Sequence, residues 1–360
     1  MALSQAAAAF EDAVNRRIVP VLRRRGWRPR TIAFTGYGST ESVRVLARVL
    51  MARPDEHSSV TADVDADDDD LDAAQEAQRG WRSFFTAQVA HLPVTIQVGE
   101  AELRATTDRG GYLDVVVHDH GLPPGWHEAT IRARAAEPVC AQVLVVGAET
   151  TVGIVSDIDD TVMVTHLPRP FIAAWNTFVR HSSARRAVPG MSQLYRDLLA
   201  EHPDAPVFYL STGAWNVVPT LTRFLRRHGF PEGPLLMTDW GPSNTGFFRS
   251  GQEHKRTELR NLVITFPQVH WLLVGDDGQH DPLLYDELAR EHADHVAAIG
   301  VRVLSPAEQL LAHGTPTELE EPVSKARAEH HVPLVRGRDG HALRKLLPHV
   351  LERRLSRVTG

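Results

Sequence analysis

A single cysteine, Cys140, stands in 360 residues, which excludes an intramolecular disulfide and any zinc site built on paired cysteines. Its neighbours Pro138, Val139 and Ala141 predict a small buried side chain rather than a reactive thiol. No stretch approaches the roughly 20 consecutive apolar residues that a membrane-spanning helix needs. The opening MALSQAAAAFEDAVNRR carries its charges after the alanine run, the reverse of a secretory leader, and a cytoplasmic protein is expected. A net charge of −6 gives no footing for nucleic acid as a partner. With 42% hydrophobic and 23% charged residues, the chain has the balance of a folded protein with room for two cores.

Four regions are expected. In residues 1–30, Phe10, Val14, Ile18 and Leu22 recur at four-residue spacing among Arg16, Arg17, Arg23, Arg24 and Arg25, the pattern of a basic amphipathic helix. Residues 31–148 show short β-type runs, Val43–Leu50, Phe84–Val89, Val94–Val98, Tyr112–His118, Thr130–Ala135 and Val143–Val146, which predict a small β-sandwich. The acidic run from Asp63 to Asp72 is a solvated loop: Asp68 and Ala74 stand where a calcium loop needs Gly and Glu. In residues 149–315, apolar strands at Val152–Ser156, Val207–Ser211, Trp271–Val274 and Val296–Val303 alternate with helices at Met191–Glu201, Val217–His228, Leu259–Phe266 and Leu283–His292. That alternation is the mark of an α/β fold with a Rossmann-like, three-layer parallel sheet, which binds ligands at the carboxyl ends of its strands. Residues 316–360 read as a basic helical extension interrupted by Pro348. The two basic ends either pack on the domains or bring the protein to an anionic lipid surface, peripheral to the inner face of a membrane.

The chemistry concentrates where strands end. Gly-Ile-Val-Ser-Asp157-Ile-Asp159-Asp160-Thr161 is an apolar run closing on three carboxylates, which would repel one another without a cation among them. A carboxylate nucleophile for phosphoryl transfer needs this: one Asp attacks phosphorus, a second protonates the leaving oxygen and later activates water. Downstream, Ser211-Thr212-Gly213 ends a strand with a hydroxyl and backbone N–H groups suited to a phosphoryl oxygen. Lys255 offers a fixed positive charge, and Gly275-Asp276-Asp277 with Asp281 delivers carboxylates suited to Mg²⁺.

Asp-x-Asp-x-Thr at 157–161, Ser211, Lys255 and Gly-Asp-x-x-x-x-Asp at 275–281, in that order, resemble the haloacid-dehalogenase superfamily. Tyr209-Leu-Ser-Thr-Gly, Asp239-Trp-Gly, His254-Lys-Arg, Phe266-Pro and Asp281-Pro are similar, more narrowly, to the phosphatidate phosphatases of the actin-patch-protein family, over about 150 to 305. Ala214 stands where that family's pattern has Pro, and Asp277 where it has Ser. The resemblance implies a minimal cap and a Mg²⁺-dependent phosphomonoester hydrolase. Asp157 would be nucleophile and metal ligand, Asp159 general acid/base and a ligand through its carbonyl, and Asp276 the other metal carboxylate. Ser211, Thr212, Gly213 and Lys255 would bind the phosphoryl group, with Trp215 and Asn216 flanking the substrate. Asp160, Thr161, Asp277 and Asp281 would support them, Asp281 by orienting water or Lys255.

Phosphatidate at a membrane surface is the substrate the resemblance implies; a soluble phosphomonoester and a phosphoprotein are the alternatives. Little chain between Thr161 and Val207, or between Gly213 and His254, is left for a large cap, so an open site is expected. Two rivals come from other classes. Asp-x-Asp-Asp also fits the proton donor of the all-helical class II terpene cyclases, and a hydrolase fold can serve as a non-catalytic lipid- or protein-binding module.

Overall fold

The computed structural model describes residues 18–53, 87–164, 186–238, 249–278, 280–306, 308–309 and 331–358. The acidic run, residues 1–17, where most of the N-terminal helix is expected, and residues 165–185 and 239–248, parts of the two stretches expected to leave the site uncapped, lie outside those residues. Two compact units divide after Ala148, the first also taking in Ala214–Pro219.

The first unit is built on eight strands: β1 Arg28–Ala33, β2 Gly36–Ser39, β3 Ser42–Ala52, β4 Pro93–Val98, β5 Ala101–Thr106, β6 Tyr112–His118, β7 Gly125–Ala133 and β8 Val139–Val146. Alternation places them. Val94, Ile96 and Val98 of β4, Ala129, Ile131 and Ala133 of β7, and Ala141, Val143 and Val145 of β8 all enter one core. The strands form one hydrogen-bonded sheet in the order β1-β3-β2-β8-β7-β4-β5, with β6 on β3, so its inward faces meet only by the sheet folding over on itself. Two separately bonded sheets, as a sandwich would have, are not what this connectivity displays. β5 escapes sequence reading because Ala-Glu-Leu-Arg-Ala-Thr is helix-prone and only half-buried. Cys140 corrects an expectation: on β8 the core takes Ala141 and Val143, which turns the thiol outward, exposed. Of the N-terminal helix, residues 18–24 are described; Val19 and Leu22 pack on this core while Ile18 and Val21 are exposed.

The second unit carries β9 Val152–Asp157, α1 Met191–Glu201, β10 Val207–Ala214, α2 Val218–Arg227, β11 Leu235–Thr238, α3 Arg249–Thr265, β12 His270–Asp276, α4 Asp281–Glu291 and β13 Val296–Arg302. The terminal segment adds β14 Leu334–Gly337, α5 Gly340–Arg344 and α6 Leu347–Val358. The six-stranded sheet runs β11-β10-β9-β12-β13-β14, with β9 parallel to β10 and β12, β12 to β13, and β13 to β14. An α/β unit with a parallel sheet excludes the all-helical rival. β9 is buried at all six positions, as a central strand of such a sheet must be. From β9 the chain winds outward through β10 to β11, then crosses back to β12 on the other side. The ends of β9 and β12 therefore flank the point where strand order reverses.

The basic tail belongs to this unit. Leu347 and Leu351 are buried, Arg344 pairs with Asp197, and Arg354 donates to the Ala293 carbonyl at 3.0 Å. Pro348 does not interrupt a helix: it lies in the first turn of α6, where a missing N–H costs nothing. Among the described residues no helix is long and apolar enough to cross a membrane.

Gly153 makes room for the Trp271 ring: a Cβ there would lie 2.4 Å from it. Trp271 is packed edge-on against Phe208, 5.7 Å between centroids, so it has nowhere to go. Gly153→Ala is expected to destabilise the fold by about 1–3 kcal/mol through overpacking. A urea midpoint equal to that of the parent would refute this account of the glycine.

Candidate active site

β9 ends in Asp157 and the chain turns at once. Val162 and Met163 donate their N–H groups to the Ile158 carbonyl at 3.0 and 3.1 Å, and Asp160 donates to the Met163 carbonyl at 2.8 Å. Asp160 takes a left-handed φ of 58°, which a short polar side chain tolerates better than most. The turn keeps Asp159 at the sheet edge instead of letting it run on as strand. There its Oδ2 accepts a hydrogen bond from Ser211 Oγ at 3.3 Å. Ser211 comes from β10, where Leu210 is in register with Asp157, and its Oγ accepts from Gly213 N at 3.0 Å. Thr238 holds the same strand end by donating to the Thr212 and Gly213 carbonyls at 2.9 and 3.0 Å.

On the other flank β12 delivers Asp276, fully buried, its Oδ1 accepting from Gly278 N at 2.8 Å. Asp281 opens α4, where the helix N-terminus favours a carboxylate, and Pro282 follows it. Gly275 permits this approach: a Cβ there would lie 2.8 Å from both Asp281 Cβ and a Tyr285 ring carbon.

Lys255 joins the two flanks. Its Nζ lies 2.6 Å from Asp157 Oδ1 and 2.6 Å from Asp281 Oδ1, with all three side chains buried. The sequence placed Lys255 ahead of a helix starting near Leu259. In the structure α3 begins at Arg249, so Lys255 sits well inside it and is fixed by the helix backbone. Burial pushes the Asp157 carboxyl up to about 8; Lys255 pulls against this, and Asp281 and Asp159 add to it. Burial also opposes the Lys255 ammonium, yet Asp157 and Asp281 hold it above its ordinary value.

Beneath Asp157, Ser156 Oγ donates to the Asp157 carbonyl at 2.7 Å and meets Tyr195 OH at 2.6 Å. Thr161 is fully buried, and its hydroxyl has no hydrogen-bond partner among the described residues. Asp277 is half-buried, its Oδ1 accepting from Leu304 N at 2.8 Å, and burial raises its carboxyl above the usual range. Trp215 packs its ring 4.4 Å from that of Phe34, a core contact of the first unit, and the Asn216 side chain lies outside the described residues. Arg302 escaped the sequence reading. Its signal was available: it is a charged residue closing the apolar run of β13, as Asp157 and Asp276 close theirs.

Asp157, Asp159, Asp160, Asp276 and Asp281 are all buried, against Lys255 and Arg302, and Arg302 is paired with Glu308 at 2.5 Å. One oxygen each from Asp157, Asp276 and Asp281 lies within 4.8 Å of the others. Asp157 Oδ2 and Asp281 Oδ2 are buried with no hydrogen bond from the described residues. Buried anions in excess, presenting oxygen donors alone, fit a hard cation.

Removing Lys255 would strip both carboxylates of their shared partner. Lys255→Met is expected to cost about 3–5 kcal/mol in urea unfolding without divalent cations. Arg256→Met, which breaks half-exposed pairs with Glu253 and Glu287, should cost no more than about 1 kcal/mol. Equal effects would refute the claim that Lys255 is the central buried partner.

Residues 152–303 match the family model described as phosphatidate phosphatase APP1, catalytic domain. The phosphatidate phosphatase APP1 of Saccharomyces cerevisiae is 26% identical over 155 residues, covering 43% of this chain and 26% of that protein. An uncharacterised protein of Schizosaccharomyces pombe is 23% identical over 152 residues, covering 42% of this chain and 25% of that one. The chain thus spans about a quarter of the length of these curated relatives. Among solved structures, a carbohydrate acetylesterase from Xanthomonas citri aligns over 89% of this chain and 71% of its own at 10% identity and a TM-score of 0.30, a likeness too slight to bear on fold or chemistry.

Proposed function

We propose, from the premise that residues 152–303 carry the catalytic-domain signature of that phosphatidate phosphatase family, that this protein is a phosphomonoester hydrolase working through an aspartyl phosphate, an acyl phosphate, formed on Asp157. The observation that carries the reading is the buried Lys255 bridging Asp157 and Asp281, with Asp276 beside them, at the reversal of a parallel sheet.

Asp157 keeps one oxygen on Lys255 and turns the other, unpartnered among the described residues, to the reaction. That oxygen attacks phosphorus as the bond to the leaving oxygen breaks, and the carboxylic acid of Asp159 gives its proton to the departing alkoxide. The Asp159 carboxylate then takes a proton from water, whose oxygen attacks the same phosphorus. The bond to Asp157 breaks, phosphate leaves, and both carboxyl groups return to their starting states. Ser211 Oγ and the backbone at Thr212 and Gly213 orient the phosphoryl oxygens, while Lys255 offsets their charge. Asp157, Asp276 and the Asp159 carbonyl would hold Mg²⁺, with Asp281 as the adjoining carboxylate. Bound there, Mg²⁺ supplies the positive charge that lets an anionic phosphate approach an anionic nucleophile.

The substrate class follows from the relative whose name specifies phosphatidate, a phosphomonoester on a membrane-borne glycerolipid. The experiment is phosphate release by pure protein with Mg²⁺ from phosphatidate in mixed micelles, beside sugar phosphates, nucleotides and phosphopeptides. Phosphatidate is expected to be preferred; a stronger soluble substrate would overturn the lipid assignment and leave the chemistry standing. Asp157→Asn should abolish turnover, since an amide can neither attack nor carry the charge. Asp159→Asn should cost about 10²–10⁴-fold in kcat. Asp276→Asn should raise the Mg²⁺ concentration for half-activity, and an unchanged titration would remove it from the ligand set.

A further inference from the structure

We infer that Arg302 is a positioning residue: its buried guanidinium clamps the Asp159–Asp160 turn from below and so sets where the acid/base carboxyl points. The inference rests on the proposed hydrolase chemistry for its consequence, but not for its geometry.

Arg302 is the last residue of β13, in register with Asp276 on β12. Its backbone carbonyl accepts from Asp277 N at 3.0 Å, fixing the turn that follows Asp276. Its side chain reaches the other acidic turn, where Nη1 donates to the Asp160 carbonyl at 2.7 Å. One residue thus touches both acid-bearing turns. The other two nitrogens are also engaged: Nη2 donates to Glu308 Oε1 at 2.5 Å and Nε to the Arg338 carbonyl at 3.3 Å. Glu308 is itself held, its Oε2 accepting from Ser305 N at 2.8 Å. The head group is therefore locked before it meets Asp160.

Asp160 is the place where a clamp matters. Its left-handed backbone is strained for a residue with a side chain, and such conformations persist only where surrounding bonds over-determine them. The N–H is held by Met163 and the carbonyl by Arg302. Releasing the carbonyl would free the Asp160–Thr161 peptide, and with it the left-handed turn that keeps Asp159 Oδ2 on Ser211. A guanidinium suits this task because its fixed fork serves three acceptors at once. An ammonium cannot span them. Because Glu308 takes up the formal charge, the contribution is geometric rather than a second cation for substrate.

The test is Arg302→Lys, which keeps the charge and loses the fork, with Arg302→Ala as a second variant. In wild type and Arg302→Lys, amide hydrogen exchange at Asp160, Val162 and Met163 is compared with exchange at the β9 and β12 amides. Faster exchange confined to the turn is expected, about tenfold or more. In the phosphatase assay, kcat should fall at least tenfold with KM within about twofold, and guanidinium added at millimolar concentration should partly restore Arg302→Ala. Unchanged exchange in the turn would overturn the inference, as would an unchanged kcat in an enzyme whose wild type is active. A wild type without phosphatase activity, together with selectively faster turn exchange in Arg302→Lys, would sustain the clamp and overturn the proposed function instead. Should Arg302→Ala fail to fold, Arg302→Lys carries the comparison alone.

Discussion

Five buried carboxylates gathered at one end of a sheet, against a single lysine that touches two of them, form the constraint on which the rest of the second unit depends. Like charges a few ångströms apart in a dry site repel by several kcal/mol unless cations and oriented donors surround them. The fold answers with what a parallel sheet supplies without further machinery. Adjacent strands end on the same side, so Asp157, Ser211 and Asp276 arrive together from distant parts of the sequence. Crossover helices begin there too, and α4 brings Asp281 with the positive end of its backbone dipole.

Close packing around the cluster turns this electrostatic arrangement into a geometric one. Gly275 leaves no side chain between β12 and α4, so Asp281 lies against the strand that carries Asp276. Gly153 leaves space for Trp271, which with Phe208 and Phe266 fills the sheet core on which the strand ends rest. Arg256 and Arg260 on α3 pair with Glu287 and Glu291 on α4, tying together the two helices that carry Lys255 and Asp281. Those pairs are partly exposed and individually weak. Their effect lies in holding two helices in one register, so that Lys255 reaches two carboxylates at once.

What the sequence disclosed was whatever has a local signature. β9, β10, β12 and β13 carry apolar runs of four or more residues, and each was legible from composition alone. The catalytic candidates were legible because an apolar strand ending abruptly in Asp, Ser or Gly has no reason to do so in a core. β11, Leu-Leu-Met-Thr, and β14, Leu-Val-Arg-Gly, are four residues long, too short for a period, and exist as strands only because a neighbour pairs with them. Cys140 was misplaced for a related reason: its neighbours are apolar, but strand alternation, set by Ala141 and Val143, decides which face it takes. The full length of α3 was hidden because Arg-Ser-Gly-Gln-Glu-His lacks an apolar stripe, the packing of Lys255 and Glu258 inward being a polar equivalent of one.

Lys255 and Arg302 divide their labour at this site by their shapes. Lys255 is a compact point charge and sits directly on Asp157 and Asp281, where Coulomb attraction matters and a planar fork would find no flat set of acceptors. Arg302 reaches two backbone carbonyls and gives its charge to Glu308, which is work for a rigid fork. Exchanging the two would fail on both sides. An arginine at 255 would have to fit a planar fork into the buried space where one Nζ meets Asp157 and Asp281, and a lysine at 302 would leave buried carbonyls without donors. The site therefore specifies which cation stands at each position as strictly as it specifies the carboxylates. Arg302 closes an apolar run as Asp157 and Asp276 do, and what it closes on becomes legible once that strand is known to lie beside β12.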